Sequence, residues 1–543
     1  MKDKILVTCA FPYSNGPIHI GHLLEHIQAD ILVRYNRMKN NKIWFICADD
    51  AHGTAITLKA RKNNVSEKFL IKNILKEHKQ DFINFNISYD KYYSTHSKEN
   101  LYLVKKIFYI LKKNKLIKKK IIKQFYDNYK KIFLPDRYVF GSCPICNSNK
   151  EYGDNCSSCG AFYSVNDLIN PMSIFSKKTP ILKETEHLFF NISYFKKILK
   201  KWIFSDVFSN NVYKKVLEWF NIGLKDWNIS RDYPYFGFKI PGFKKKYFYV
   251  WFDASIGYIS TFKKLSLEKS EINFSEFWDK NSNTKLYNFI GKDIIYFHSI
   301  FWPSILSAIN FRKPTKIYVH GHVKLNDKKF SKSNNYIISA KKWLKHFDSD
   351  SLRYYYASKI SNSIDDINIS ANDFINNVNS GLVNKIVNLA SRNAKLINKY
   401  FDGMLSKKMN DSYIKEYNNF LNKFNKINYF FENVEYKNII IEILKISDFA
   451  NLYISKKAPW NFVNNNNLSY VQNVCSMGIN FFIVIMTYIK PIIPDLSNKV
   501  EDFLNMSLTF ENIKFPLLNH KISNVKILYK KILIKDFEKL LKK

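Results

Sequence analysis

Residues 5–37 constrain the chain more than any other stretch. They open with a short β-branched and apolar run, 5–11, which reads as a buried strand. Residues 12–17 read as a turn, with Asn15-Gly16 its strongest signal. A helix begins near Ile20, where Leu24, Ile27, Ile31, Tyr35 and Met38 recur every three or four positions and mark one face. Two imidazoles, His19 and His22, therefore sit where a strand hands over to a helix N-terminus. The unpaired N–H groups of such an end attract anions. Gly21 removes a side chain where a nucleotide could approach, and the two rings add donors. A capping or surface role for the histidines is the alternative. The stretch is neither a Walker A loop nor a G-x-G-x-x-G fingerprint.

A second buried-type strand, Lys42–Asp49, ends in Asp49-Asp50-Ala51-His52-Gly53. Strand–helix–strand of this kind is a parallel unit, and parallel sheets bind ligands beyond their strand C-termini. Asp50 is placed to meet a ligand there, or to cap the next helix. The sheet is expected to resume at 246–254 and 286–291, with a helix over 292–308 carrying Asp293, His298 and Trp302, and a strand over 315–323. Between the halves lies an insertion with a lysine run at 112–123 and two C-x2-C pairs, Cys143/Cys146 and Cys156/Cys159. Four thiolates close a tetrahedral zinc shell with no open position, so a structural metal fits better than catalysis or a redox pair. From about residue 366 the pattern is helical, and Val383, Val387, Ala390, Ala394, Ile397 and Phe401 form a bundle-facing stripe. Asn388 and Arg392 lie four apart on another face. Trp460 is either a stacking platform or a core residue.

Composition narrows the class. The chain has 543 residues, enough for about three or four domains. Its formal charge of +39, from 85 basic and 46 acidic residues, favours a polyanionic partner such as RNA, although AT-rich coding would also enrich lysine. Four of the seven cysteines fall in one cluster, which argues against a disulfide framework. The apolar run 481–489 is too short for a membrane span and reads as a core helix ended by Pro491. A cytoplasmic protein without a membrane segment is expected.

The tetrad His19-Ile20-Gly21-His22 resembles the HIGH signature of class I aminoacyl-tRNA synthetases. The loop Lys329-Phe330-Ser331-Lys332-Ser333 resembles their KMSKS motif, with Phe330 where Met is usual. The stretches A-F-P-Y-S-N-G-P-I-H-I-G-H, I-C-A-D-D-A-H-G, G-K-D-I-I-Y-F-H and N-L-A-S-R-N are similar to the methionyl-tRNA synthetase family over nearly the whole chain. The resemblance implies an α/β fold: a doubly wound, Rossmann-like parallel sheet split by a zinc-bearing insertion, then a helical bundle. The implied division is a catalytic domain at 1–112 and 231–325, an insertion at 113–230, a loop-bearing linker at 326–380 and an anticodon-binding bundle at 381–543. It implies methionine activation by Mg²⁺-ATP and transfer to tRNA(Met), the initiator included.

By the same resemblance, methionine falls on Ala10, Phe11, Tyr13, Asp50, Val250, Trp251, Ala254, Tyr258, Ile294, Phe297 and His298, with Asp50 on the ammonium. ATP falls on Gly21, Glu25, Asp293 and Lys332. His19, His22, Lys329 and Lys332 are the catalytic set, and Arg231 lies near the active site. Asn388, Arg392 and Trp460 read the anticodon, and Cys143, Cys146, Cys156 and Cys159 hold one Zn²⁺. Phe11 stands where leucine is usual and Ser255 where proline is usual, both expected to touch the pocket. Many bacterial relatives carry a further C-terminal dimerising module, so a monomer is expected. Another class I synthetase, a tRNA-free nucleotidyltransferase and a non-catalytic RNA-binding protein are the rival readings.

Overall fold

The computed structural model describes residues 3–153, 156, 158–159, 163–325, 328–329, 338–361, 364–463, 467–524 and 527–542, the side chains of Asp136, Lys328 and Lys329 excepted. Strands β1 (Lys4–Cys9), β2 (Lys42–Asp49), β3 (Lys91–Ser94), β4 (Lys285–Gly291) and β5 (Lys316–His320) make one sheet in the order β5-β4-β1-β2-β3. Every neighbouring pair is parallel. Helices cover both faces, so β1 is buried along all but its first residue, which is why it reads as an unbroken apolar run. The winding direction reverses at β1. In such sheets ligands bind outside the carboxyl ends of the strands that flank the reversal, here β1 and β4. The doubly wound expectation holds.

Helix α1 (Ile20–Met38) follows β1, and α2 (Glu67–Asn84) precedes β3. The chain then leaves the sheet for the insertion. Its spine is a long antiparallel hairpin, Ile117–Asp127 against Ile181–Phe190. The lysine run lies on this hairpin, where Lys120 pairs with Asp226 at 2.7 Å and Lys119 with Glu186 at 3.1 Å. The cysteine pairs flank a small sheet built on Val139–Ser142.

Two expected elements differ, and a third is irregular. Residues 246–254 are not one strand: Lys246–Phe248 pairs antiparallel with Ser230–Asp232 outside the main sheet, and helix α3 (Val250–Glu268) starts directly after. Every residue from Phe252 to Phe262 is buried, and the helical spacing of Phe252, Ile256, Ile259 and Phe262 overrides the short aromatic run. The helix over 292–308 is continuous but irregular: a 3-10 turn Lys292–Ile294, two α-helical residues, a π-type turn Phe297–Phe301 and an α-helix Trp302–Ala308. Pro303 has no N–H to bond back, and the ladder widens before it. The strand expected over 315–323 stops at His320, because Gly321 packs so tightly on Asp365 that a Cβ would come 2.0 Å from its carbonyl oxygen. Val323–Leu325 instead pairs in parallel with Ile367–Ile369.

The C-terminal third is a helical bundle containing α4 (Asn388–Phe401), α5 (Tyr436–Lys457) and α6 (Leu468–Ile489). Val387, Ala390, Ala394 and Ile397 are buried, with Val383 and Phe401 packed partly against the same core. Helix α6 is longer than the run 481–489 suggests. At 22 residues it is long and apolar enough to cross a membrane, yet 72% of its most apolar window is buried inside the bundle. Small and weakly polar residues in its first half, such as Ser476 and Gly478, conceal its length in the sequence. Arg353 fastens the bundle to the catalytic half. It is fully buried, 2.7 Å from Asp30 of α1, and its other N–H groups donate to the carbonyls of Phe85, Pro491 and Ile492.

Candidate active site

His19 caps α1 in extended conformation. Its Nδ1 accepts the His22 backbone N–H at 3.3 Å, while His22 Nδ1 accepts the His19 N–H at 3.4 Å. This is a capping box built from two imidazoles. Because each Nδ1 accepts, each ring carries its proton on Nε2, so both present N–H donors beside the helix N-terminus. The rings stack with centroids 3.6 Å apart. A Cβ on Gly21 would approach the His19 ring to 3.0 Å, so glycine keeps the stack intact.

Next to this end, nine residues line a cavity of about 70 Å³: Ala10, Phe11, Asp50, Trp251, Ala254, Tyr258, Ile294, Phe297 and His298. Ala10 and Phe11 follow β1, Asp50 follows β2, and Ile294, Phe297 and His298 follow β4. Trp251, Ala254 and Tyr258 are spaced along one face of α3. The Phe11 ring packs 4.3 Å from Tyr258, and Trp251 meets Phe297 edge-on at 5.4 Å. His298 Nδ1 donates to the Ile294 carbonyl at 3.0 Å, so its Nε2 accepts the Tyr258 hydroxyl, also at 3.0 Å. Burial pushes that ring down to about 4, so it stays neutral. The walls are thus uncharged and aromatic, suited to an unbranched, polarisable side chain.

Asp50 is the exception. Its Oδ1 is buried with no hydrogen-bond partner. Burial, then the neighbouring Asp253 and Asp49, push its carboxyl well above the usual range. It caps no helix, since the next one, Thr54–Lys62, is capped by Gly53. The His52 backbone N–H supports the carboxylate, but one oxygen is left unpaired beside an apolar cavity, which is a site for a cation.

Tyr13 and Val250 do not line this cavity. Tyr13 packs beside Ala51 and Ile56, with its hydroxyl against Gly53, and Val250 is buried with its N–H donated to the Tyr235 hydroxyl. Ser255 does not touch it either: its hydroxyl donates to the Phe252 carbonyl one turn back. Arg231 lies with its guanidinium 3.6 Å over the ring of Tyr249, the residue that precedes α3.

On the other side of the histidine pair, Glu25 lies under the ends of β4 and β5. His320 Nε2 is 3.4 Å from its carboxylate. Burial pushes Glu25 up to about 7, against the pull of His320, and Asp293 adds to the rise. Glu25, Asp293 and His320 thus form one electrostatic cluster. Lys332, with residues 326–327 and 330–337, lies outside the described residues, as does Phe330. Lys329 is described by its backbone alone, in a hairpin with Lys324. The chain re-emerges at Ile338, whose carbonyl accepts the Ile20 N–H at 3.0 Å, and Ala340 N–H donates to Ile18 at 2.9 Å. The downstream end of the loop segment is therefore stitched to both flanks of His19.

Sequence reasoning missed a buried chain behind the pocket. Asp253 Oδ2 lies 2.8 Å from His52 Nδ1, and His52 Nε2 lies 2.8 Å from His96 Nδ1. The partners are 201 and 44 residues from His52, so no local spacing signals them. His320 was missed for the same reason.

In the insertion, the four Sγ atoms of Cys143, Cys146, Cys156 and Cys159 lie within 4.8 Å of one another. Backbone N–H groups of Ile145 and Cys146 point at Cys143 Sγ, and that of Cys159 at Cys156 Sγ, which favours thiolates. This donor set fits a tetrahedral soft-metal site. In the bundle, Arg392 lies 5.0 Å over the Trp460 ring, and Trp460 is 42% exposed, so it is not a core residue. Asn388 lies on the exposed face of α4 and lines a neighbouring groove with Lys395 and Lys399.

The family model described as "tRNA synthetases class I (M)" matches residues 5–394. The chain belongs to the methionyl class I tRNA synthetases. Similar members include the methionine–tRNA ligase of Buchnera aphidicola subsp. Acyrthosiphon pisum (strain APS), 57% identical over 538 residues, 99% of this chain and 97% of that protein. The methionine–tRNA ligase of Wigglesworthia glossinidia brevipalpis is 55% identical over 534 residues, 98% and 97% of the two chains. The crystal structure of Mycobacterium tuberculosis methionyl-tRNA synthetase bound by methionyl-adenylate shares the fold at a TM-score of 0.80 and 19% identity, covering 97% of this chain and 100% of that one. This methionyl-tRNA synthetase family member is an ATP-dependent aminoacyl-tRNA ligase for methionine.

Proposed function

We propose that methionine binds in the aromatic cavity with its ammonium on Asp50, and that ATP binds across the His19/His22 end of α1 toward Glu25 and Asp293. The unpaired Asp50 carboxylate oxygen beside a neutral cavity carries this reading. The methionine carboxylate attacks the α-phosphorus of Mg²⁺-ATP, and the bond to pyrophosphate breaks. The Nε2 protons of His19 and His22 and the ammonium groups of Lys329 and Lys332 stabilise charge that grows on the phosphates. A ribose hydroxyl of the 3′-terminal adenosine of tRNA(Met), initiator included, then attacks the adenylate and AMP leaves. The protein contributes orientation and electrostatics rather than covalent chemistry. ATP–pyrophosphate exchange measured across twenty amino acids tests this. Methionine alone should drive it, and exchange driven by another amino acid would overturn the reading.

The four cysteines would hold one structural Zn²⁺, leaving no position for catalysis. Metal analysis of the purified chain should find a single zinc, and Cys146→Ser should remove it while leaving α1 and the cavity intact. We further propose the division into catalytic halves, insertion, linker and bundle at the boundaries given above, and action as a cytoplasmic monomer. A stable dimer by native mass would refute the last point.

Arg392 over Trp460 offers a cation beside an exposed ring, a platform for an anticodon base, with Asn388 one turn along α4. Base stacking on an aromatic contributes about 1–3 kcal/mol. Trp460→Ala should therefore raise the KM for tRNA about 5- to 150-fold, with tRNA-free exchange unchanged. Equal charging of wild type and variant would remove Trp460 from the interface.

A further inference from the structure

The turn 12–17 delivers His19 and His22, and the end of β2 delivers Asp50. One side chain spans the two. His78, on α2, is 1% exposed. Its Nδ1 lies 2.8 Å from Asp49 Oδ1 and its Nε2 lies 2.8 Å from the Gly16 carbonyl oxygen. A carbonyl only accepts, so Nε2 carries a proton. Asp49 Oδ1 also accepts the Tyr92 hydroxyl. With Asp49 as a carboxylate, both ring nitrogens donate and the ring is an imidazolium. Two backbone bonds run alongside, Ser14 N–H to the Asp50 carbonyl and Asp50 N–H to Pro12, each 2.9 Å. They fix the first half of the turn, while the half that leads into His19 is held to β2 through His78.

We propose that His78 is a positioning residue for adenylate formation, whose imidazolium holds the turn that carries the histidine pair in register with the strand end that carries Asp50. It touches no substrate. It rests on the assignment of methionine and ATP to this crevice, which methionine-dependent exchange by the wild type tests separately. Misplacing reacting groups by about 1 Å costs on the order of 100-fold, and the two groups that His78 spans belong to the two different substrates.

Asp49 from β2, Asp81 from its own helix and His26 from α1 act on the ring; Tyr92 from β3 shares Asp49, while Glu77 and Lys341 act on Asp81. Burial lowers the ring's pKa, but Asp49, the Gly16 carbonyl and Asp81 more than offset it, so it ends above its ordinary value. Burial pushes Asp81 up to about 6, which leaves it ionised at neutral pH and above. The double-donor form is thus present at low pH and is lost as pH rises through a value above the ordinary one of about 6.5.

The test combines ring ¹⁵N spectra of histidine-labelled full-length protein with exchange kinetics across pH. Across a pH titration, the resonance pair that vanishes in His78→Gln should pass from doubly to singly protonated at a midpoint above that of an ordinary histidine, about 6.5. Glutamine can donate from one end only. His78→Gln should lower kcat for exchange about 10- to 100-fold, change KM for methionine little, and lack the alkaline decline of the wild type. Asp49→Asn should move that decline to lower pH. A His78 ring that titrates at or below the ordinary value overturns the proposal, and so does a His78→Gln enzyme with the wild-type kcat and pH profile. Should His78→Gln fail to fold, the wild-type spectrum, assigned through the shift that Asp49→Asn causes, still decides it.

Discussion

Asp50→Asn should raise the KM for methionine about 30- to 4,000-fold while the KM for ATP stays near that of the wild type. The magnitude follows from leaving a desolvated ammonium without its counter-charge, which costs about 2–5 kcal/mol; each 1.4 kcal/mol is tenfold. Stability should move the other way. The Asp50 carboxyl is raised by burial and by the carboxylates beside it, so above the ordinary carboxyl range its ionisation opposes folding. Asparagine removes that cost, and the variant without substrate should melt no lower than the wild type at neutral pH. A variant that binds methionine normally, or one that loses stability, would show that Asp50 is a structural acid. Exchange kinetics and a thermal melt read both.

His22→Ala should lower kcat for exchange about 100- to 1,000-fold, the range for deleting one donor aimed at developing charge. Part of any loss could come from the helix end, because His22 Nδ1 also satisfies the His19 N–H. Losing a cap costs about 0.5–2 kcal/mol of stability. His22→Asn separates the two: its amide oxygen can still accept that N–H, but it places no donor where Nε2 lies. Stability restored by Asn without recovery of kcat assigns His22 to the chemistry. Full recovery of kcat by Asn would assign it to the cap.

The sheet was legible because β1, β2 and β4 are buried on both faces and carry continuous apolar runs bounded by turns. Helix α1 was legible because its period is uninterrupted from Ile20 to Met38. The start of α3 was not, since Tyr247 to Trp251 is as aromatic as a strand, and only the buried face that follows decides for helix. The π-type turn that carries His298 is invisible for a similar reason: Pro303 marks a disturbance but not its kind. Most of the cavity could be named through likeness to a family, as nine lining residues attest. Tyr13, Val250 and Ser255 miss its wall because the neighbours of a lining residue alternate or rotate away from it. His52–His96–Asp253, His320 near Glu25 and His78 between Gly16 and Asp49 join residues far apart in the chain. Contacts of that kind are set by tertiary closure and leave no local pattern.

The strand order has a consequence for synthesis. One edge of β1 pairs with β2 almost at once, but its other edge pairs with β4, which ends at Gly291. At about 5–20 residues per second the nascent chain waits roughly 15–60 s for that partner. Throughout that interval an apolar strand edge stands open on the ribosome, a template for any extended segment nearby. Demand for a holding chaperone should therefore peak before residue 291 emerges and fall sharply after it.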